Sequence, residues 1–164
     1  VERLTVTAPA SFDDCLEAAA PSRFIRQAQI LMRLKSDTLA IREGDALLAV
    51  AYLWPHSDSE RELCLALRPA ARPHLVALCR FAHLTLSRLA HAGITVSARI
   101  SPGHRAGERM ARLVGMSPDP SSSGLWMIKG IVDDASGRTA VRRRSEQGGS
   151  ARGGPEPRIA AHRE

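Results

Sequence analysis

ELCLALRPAARPHLVALCRFAHLTLSRLAHAGITVSARI, residues Glu62 to Ile100, divides into three parts. The apolar run Leu63–Leu67 has the length of a strand and stops at Pro69. A helical pattern opens at Pro73 and ends before Gly93. Proline suits the first helical position because it lacks an N–H that a helix start leaves unpaired, and glycine suits the stop because it tolerates positive φ. A second strand-like run follows, Ile94–Ile100. Strand, helix and strand with short links predict a right-handed βαβ unit with parallel strands. Leu75, Leu78, Ala82, Leu86 and Leu89 form one stripe of the helix, with Val76, Phe81 and Leu84 off it. So broad an apolar surface predicts packing on more than one side, at the centre of the fold.

Upstream, Leu4–Thr7 alternates apolar and polar and reads as a strand ended by Pro9. Ser11 then offers an N-cap, with Asp14 in the position of the capping-box acid, for a helix over Phe12–Ala20. Ser22 caps a second helix, in which Phe24, Ile25, Ala28, Leu31 and Met32 fall at helical spacing through Leu34. Thr38–Arg42, the turn Glu43-Gly44-Asp45 and Ala46–Trp54 predict a hairpin. The polar segment Pro55–Arg61 returns the chain to the Glu62 strand.

Downstream, Ser101 caps a helix with Pro102 at its first position, and Ala106, Met110 and Leu113 make one face before Gly115 closes it. Pro118–Ser123 is a loop and Leu125–Lys129 a last strand. That strand has no clear successor, which leaves a sheet edge for a partner to cover. Beyond about Val132 apolar periodicity disappears; residues 133–164 are polar and Gly-rich, and are expected to be disordered because they bury too little surface to offset their ordering entropy.

The 164 residues suit one domain, here residues 1–132, plus that tail. Aromatic residues make up only 4%, so the core is expected to be aliphatic. No run approaches the roughly 18 apolar residues of a membrane span, and VERLTVTAPA lacks the basic-then-apolar order of a signal peptide. A cytoplasmic location is the resulting expectation. The net charge of +6 is spread out, with 16 basic and 12 acidic side chains in residues 1–132 against 7 and 5 in the rest, so it does not choose between nucleic acid and a phosphate-bearing ligand. Arg142-Arg143-Arg144 sits beside Glu146 in the tail and reads as a solvated run. Trp54 and Trp126 are isolated on strands, which disfavours base stacking and nucleic-acid binding.

Cys15, Cys64 and Cys79 have no paired-ligand spacing and read as reduced thiols. His74, Cys79, His83 and His91 share a helix, and His83 follows Cys79 by four residues. With apolar neighbours and no further ligand cluster, no metal site is expected.

The expected order, β-α-α-β-β-β-α-β-α-β, defines a mixed α/β (α+β) domain. Over residues 3–130 it resembles the GNAT superfamily of acyl-CoA-dependent N-acetyltransferases. Two segments carry the resemblance locally. Arg68-Pro69-Ala70-Ala71-Arg72-Pro73 lies between the fourth strand and the long helix, where the family pattern is Gln/Arg-x-x-Gly-x-Gly/Ala. HRAGERMARLVGM (His104–Met116) is similar to the late signature of an Asn, an Ala three residues on and a closing Leu-Gly-Phe, with His104, Gly107 and Val114-Gly115-Met116 in those places.

The resemblance implies acetyl-CoA as co-substrate and an amine as acceptor. It implies that backbone groups of Leu65, Ala66 and Leu67 hold the pantetheine arm, that Arg68, Ala70, Ala71 and Arg72 receive the pyrophosphate at a helix start, and that His104 belongs to the cofactor site. Ala71 and Pro73 replace small loop residues of the pattern, and each proline removes a donor; Arg68 and Arg72 can compensate with charge-assisted bonds. Glu62 stands where some relatives keep a general-base carboxylate, against the reading of a solvated charge after HSDSER. The family's acidic Tyr position is occupied by Ala111, and Tyr52, the only tyrosine, is on the third strand. These departures give an alternative expectation. The chain also resembles short, degenerate GNAT-like proteins encoded by tailed phages, which implies a non-catalytic interaction protein, with a protein partner, or a phage structural protein that has lost cofactor binding.

Overall fold

The computed structural model describes residues 4–131, which lie in the first of two units, Val1–Val132 and Asp133–Glu164. The expected disorder of the tail and its arginine run fall outside the described residues. The elements in order are β1 (Leu4–Thr7), α1 (Phe12–Ala18), α2 (Arg23–Lys35), β2 (Asp37–Glu43), β3 (Ala46–Pro55), β4 (Glu60–Leu67), a 3₁₀ helix (Pro69–His74), α3 (Leu75–His91), β5 (Thr95–Arg99), α4 (Arg105–Leu113), β6 (Ser117–Pro118) and β7 (Leu125–Ile128). They build one seven-stranded mixed sheet in the order β1-β2-β3-β4-β5-β7-β6. β4 and β5 are its one parallel pair, joined by α3, as the βαβ reading requires.

Local chemistry fixes the first helix. The Ser11 hydroxyl accepts from the Asp14 N–H while the Asp14 carboxylate accepts from the Ser11 N–H, a complete capping box. The same carboxylate accepts from Arg42 Nε of β2 at 2.9 Å, which ties the helix start to the sheet. Burial pushes the Asp14 carboxyl up, but the hydrogen bonds from Ser11 and Arg42 outweigh it and hold the group below the ordinary carboxylate range.

A β-bulge divides the packing. Ile41 pairs with Ala49 and Arg42 with Leu47, so Leu48 is the extra residue. Leu47, Val50 and Tyr52 pack with Cys15 beneath α1 and α2. Leu48 instead joins Ile41, Ala71 and Leu78 below α3. A third cluster, with Leu86, Val96, Val114, Met116 and Trp126, fills the space between α3, α4 and the β5–β7 strands. The core is mainly aliphatic, as the composition implies.

Several expectations need correction. α3 does not open at Pro73. Pro69 and Pro73 lie four apart, so an α-helix begun at the first would need an N–H from the second; the segment takes 3₁₀ geometry and the α-helix starts at Leu75. α4 starts at Arg105 rather than at Pro102, because Gly103 adopts φ +82° and no helix passes through that conformation. α3 does pack on more than one side, against the sheet and against α4, although Val76 and Leu84 are 66% and 62% exposed. The stripe expected on α2 faces mostly outward, with Phe24 80% exposed; Met32 and Arg33 turn inward, and Arg33 Nε donates to the Ala10 carbonyl. The last strand is not the sheet edge. A two-residue strand, β6, pairs outside it, through Ser117 with Met127 and Pro118 with Trp126. Among the described residues, no helix is long and apolar enough to cross a membrane.

Candidate functional site

The parallel β4–β5 ladder has three rungs, Glu60–Thr95, Arg61–Val96 and Glu62–Ser97. Beyond them the strands part. Leu63–Leu67 continues paired to β3 alone, while Ala98 and Arg99 pair with Trp126 and Leu125 of β7. The outer edge of β4 over Leu63–Leu67 therefore presents backbone N–H and C=O groups to no strand. It opens onto a cleft of about 700 Å³, whose splayed part is lined by Leu65, Leu67, Ala98, Ile100, His104 and Ala111. Leu65 is 47% exposed because nothing from the sheet covers that edge. The volume lies in the range of small-molecule sites, about 300–1,000 Å³.

Glu62 sits on the last rung before the strands part, on the sheet face shared with its β3 neighbour Trp54. Its Oε2 is 2.8 Å from His56 Nε2, and its Oε1 is 3.6 Å from Arg99 Nε. The carboxylate is half-buried, so it is not the simple solvated charge that its polar flank suggested. Sequence reading missed His56. The signal was available in the hairpin register: Trp54 faces Glu62 and Pro55 faces Arg61, which returns His56 beside the carboxylate. Cys64, two residues along β4, is pushed up from the ordinary thiol range by burial and then by the Glu62 charge.

The loop after β4 offers few backbone donors. Arg68 N–H is committed to the Leu48 carbonyl at 2.9 Å and Ala71 N–H to the Arg68 carbonyl at 2.9 Å, while Pro69 and Pro73 have none. Ala71 is fully buried, packed with Leu48 and Leu78, and its side chain is part of the core. Ala70 and Arg72 are exposed and Arg68 is partly so; among the described residues no ion pair engages either arginine. His74, by contrast, is paired to Glu43 at 2.8 Å. Any anion held here would meet guanidinium groups more than a nest of amides.

Downstream, His104 lines the cleft at the start of α4, and its ring packs against Gly107. A Cβ on Gly107 would lie 2.5 Å from His104 Nδ1 and 3.0 Å from Ile100 Cγ2. The two departures from the late signature are thus coupled: the bulkier imidazole occupies the space that a Cβ at residue 107 would take. Ala111 is buried and lines the cleft. Tyr52 lies outside the cleft lining, its hydroxyl is buried, and burial, then the neighbouring Cys15 thiol, push its phenol well above the ordinary range. His83 Nδ1 lies 3.1 Å from the Val114 carbonyl, where it can donate to the C-terminus of α4.

No known protein family and no curated protein matches the chain by sequence. Solved structures do match it by shape. The ribosomal-protein-S18-alanine N-acetyltransferase from Escherichia coli aligns with TM-score 0.62 and 12% identity over 81% of this chain and 98% of that one. Ard1 from Thermoplasma volcanium aligns at 0.61 and 13% identity, covering 80% and 100%. The Bacillus subtilis acetyltransferase in complex with CoA aligns at 0.57 and 12%, covering 79% and 100%. The chain has the GNAT fold. The parted β4 and β5, the 3₁₀ segment and α4 are thus parts of a GNAT scaffold. On that scaffold His104 and Gly107 of the late signature come together with Ala111 on one cleft wall, and Glu62 stands where the splay begins.

Proposed function

We propose that this protein is an N-acyltransferase that takes an acetyl group from acetyl-CoA and delivers it to an amine. The observation that carries the proposal is the β4–β5 ladder ending after Glu62–Ser97, which leaves the β4 edge open onto the cleft. Acetyl-CoA supplies the activated thioester. In this reading the backbone of Leu65, Ala66 and Leu67 hydrogen-bonds the pantetheine amides in place of a missing strand. Arg68, Ala70, Ala71 and Arg72 form the pyrophosphate end, with the two guanidinium groups as the main donors. His104 covers the cleft wall beside the arm.

Glu62 acts as the base that takes the proton from the attacking amine, with His56 positioned to pass it to solvent. As the amide forms, the thioester C–S bond breaks and coenzyme A departs as the thiolate, which takes a proton from solvent. Backbone N–H groups of the open β4 edge polarise the thioester carbonyl. Similar structures are described as acting on different amines, the S18 alanine in one and spermidine in another.

A second reading, a non-catalytic protein that binds a protein partner on a GNAT scaffold, is favoured by the committed amides and two prolines of the phosphate loop and by Ala111. Calorimetric titration of the full chain with acetyl-CoA separates the two. Micromolar binding that weakens about 10-fold or more in Arg72→Ala, the loss of a hydrogen bond to a charged group, supports the enzyme. A folded chain that gives no heat at millimolar acetyl-CoA removes the enzyme reading in favour of the second.

A further inference from the structure

The cleft is larger than the strand splay. Its floor continues from β4 across Ala51 and Ala49 of β3 to Leu39 and Ile41 of β2, and its roof there is Phe81 and Ala82 of α3. Two alanines in the middle strand leave a trough between leucine and isoleucine walls, and α3 closes it from above. Neighbouring strands lie about 4.8 Å apart, so the trough extends about 10 Å from the β4 edge to β2. Leu39, Ile41, Ala49, Ala51, Phe81 and Ala82 make this extension apolar, while Asp37 and Thr38 at one end of β2 and Thr85 of α3 also line the cleft.

We propose that this extension holds the hydrocarbon tail of a medium-chain acyl-CoA, and that the donor is such a thioester in preference to acetyl-CoA. The inference rests on the acyl-CoA reading above and specifies its donor. A thioester held at the β4 edge has its acyl carbons at the mouth of the trough, and an apolar channel that leads away from that point suits an alkyl chain. An extended chain advances about 1.25 Å per carbon, from bonds of about 1.5 Å at the tetrahedral angle, so about 10 Å accommodates about eight carbons. Each buried methylene tightens binding about fourfold, so octanoyl-CoA exceeds acetyl-CoA by about 60-fold with only half of its six extra methylenes buried.

The test is calorimetric titration of the full chain with acetyl-, butyryl-, octanoyl- and dodecanoyl-CoA. Two variants, Ala51→Leu from the floor and Ala82→Leu from the roof, are titrated in parallel, and circular dichroism checks each for folding. Affinity that climbs to about eight carbons and then levels off, with the octanoyl advantage cut at least tenfold in a folded variant and acetyl-CoA binding unchanged, is the expected result. Equal affinity for acetyl- and octanoyl-CoA overturns the inference and leaves the acyl-CoA reading standing. So does an octanoyl advantage that survives both folded variants. Binding of no thioester at all removes the acyl-CoA reading, and this inference with it.

Discussion

Replacing Asp14 with Asn tests whether one carboxylate joins the first helix to the sheet. The Asp14 side chain accepts from Ser11 N–H at 3.1 Å, Ser11 Oγ at 2.7 Å and Arg42 Nε at 2.9 Å, and it is 94% buried. Asparagine retains one acceptor but removes the charge. Hydrogen bonds to charged groups contribute about 1.5–3 kcal/mol and neutral ones about 0.5–1.5 kcal/mol, so the loss at pH 7 is about 1–3 kcal/mol. The pH dependence follows from the lowered pKa. The folded state binds the Asp14 proton less readily than the unfolded chain, so the stabilisation is present above the unfolded value and is lost as pH falls through the folded one. Urea unfolding of the wild type and Asp14→Asn at about pH 7, 5 and 2.5 should show a gap that is constant between the first two and smaller at the third. A gap of the same size at about pH 2.5, or below about 0.3 kcal/mol at pH 7, would refute the charge-based account.

Three further outcomes are expected. Glu62→Gln should lower kcat by about 10²–10⁴-fold in an amine-acylation assay while leaving acyl-CoA affinity unchanged; a parallel loss of affinity would mark Glu62 as structural. Gly107→Ala should be more favourable in a His104→Asn background than alone, by about 0.5–1 kcal/mol in unfolding free energy, because the Asn frees the space the new methyl needs. Equal effects in both backgrounds would dissolve the coupling between the two positions. Leu48→Ala should cost about 2–5 kcal/mol by chemical denaturation, since the bulge residue fills the space between Ile41 and Leu78; a loss under 1 kcal/mol would mean the site collapses without a cavity.

The parts of the fold that were legible are those set by neighbouring residues. Ser11 and Asp14 announce α1 because both capping partners lie within one helical turn. The apolar runs on either side of the long helix announce the βαβ unit, and Gly93, at φ +81°, ends that helix where expected. What was hidden depends on competition or on distance. Pro69, Pro73 and Pro102 each qualify for a first helical position, and which of them begins an α-helix depends on the next proline or on Gly103. The stripe on α2 has helical periodicity, but periodicity does not say which side meets the sheet. Strand β6 is two residues long, too short for any repeat to register. In the candidate site, Glu62 and the β4 edge were proposed from family resemblance, whereas the contact of His56 with Glu62 depends on the hairpin register, and the packing of His104 against Gly107 depends on how α4 meets the loop before it.

The short β6 strand bears on how this protein behaves in a crowded solution. An exposed strand invites another molecule to extend the ladder, and repeated extension is the route to fibrils. Here one margin of the sheet offers only Ser117 and Pro118, and Pro118 has no N–H to donate. The opposite margin, β1, is four residues long and gives way to Pro9 two residues later. Among the described residues neither outer margin offers more than four residues to an incoming strand, and the longer open edge, Leu63–Leu67 of β4, lies inside the cleft, so growth by strand addition at the margins of the seven-stranded sheet should be slow.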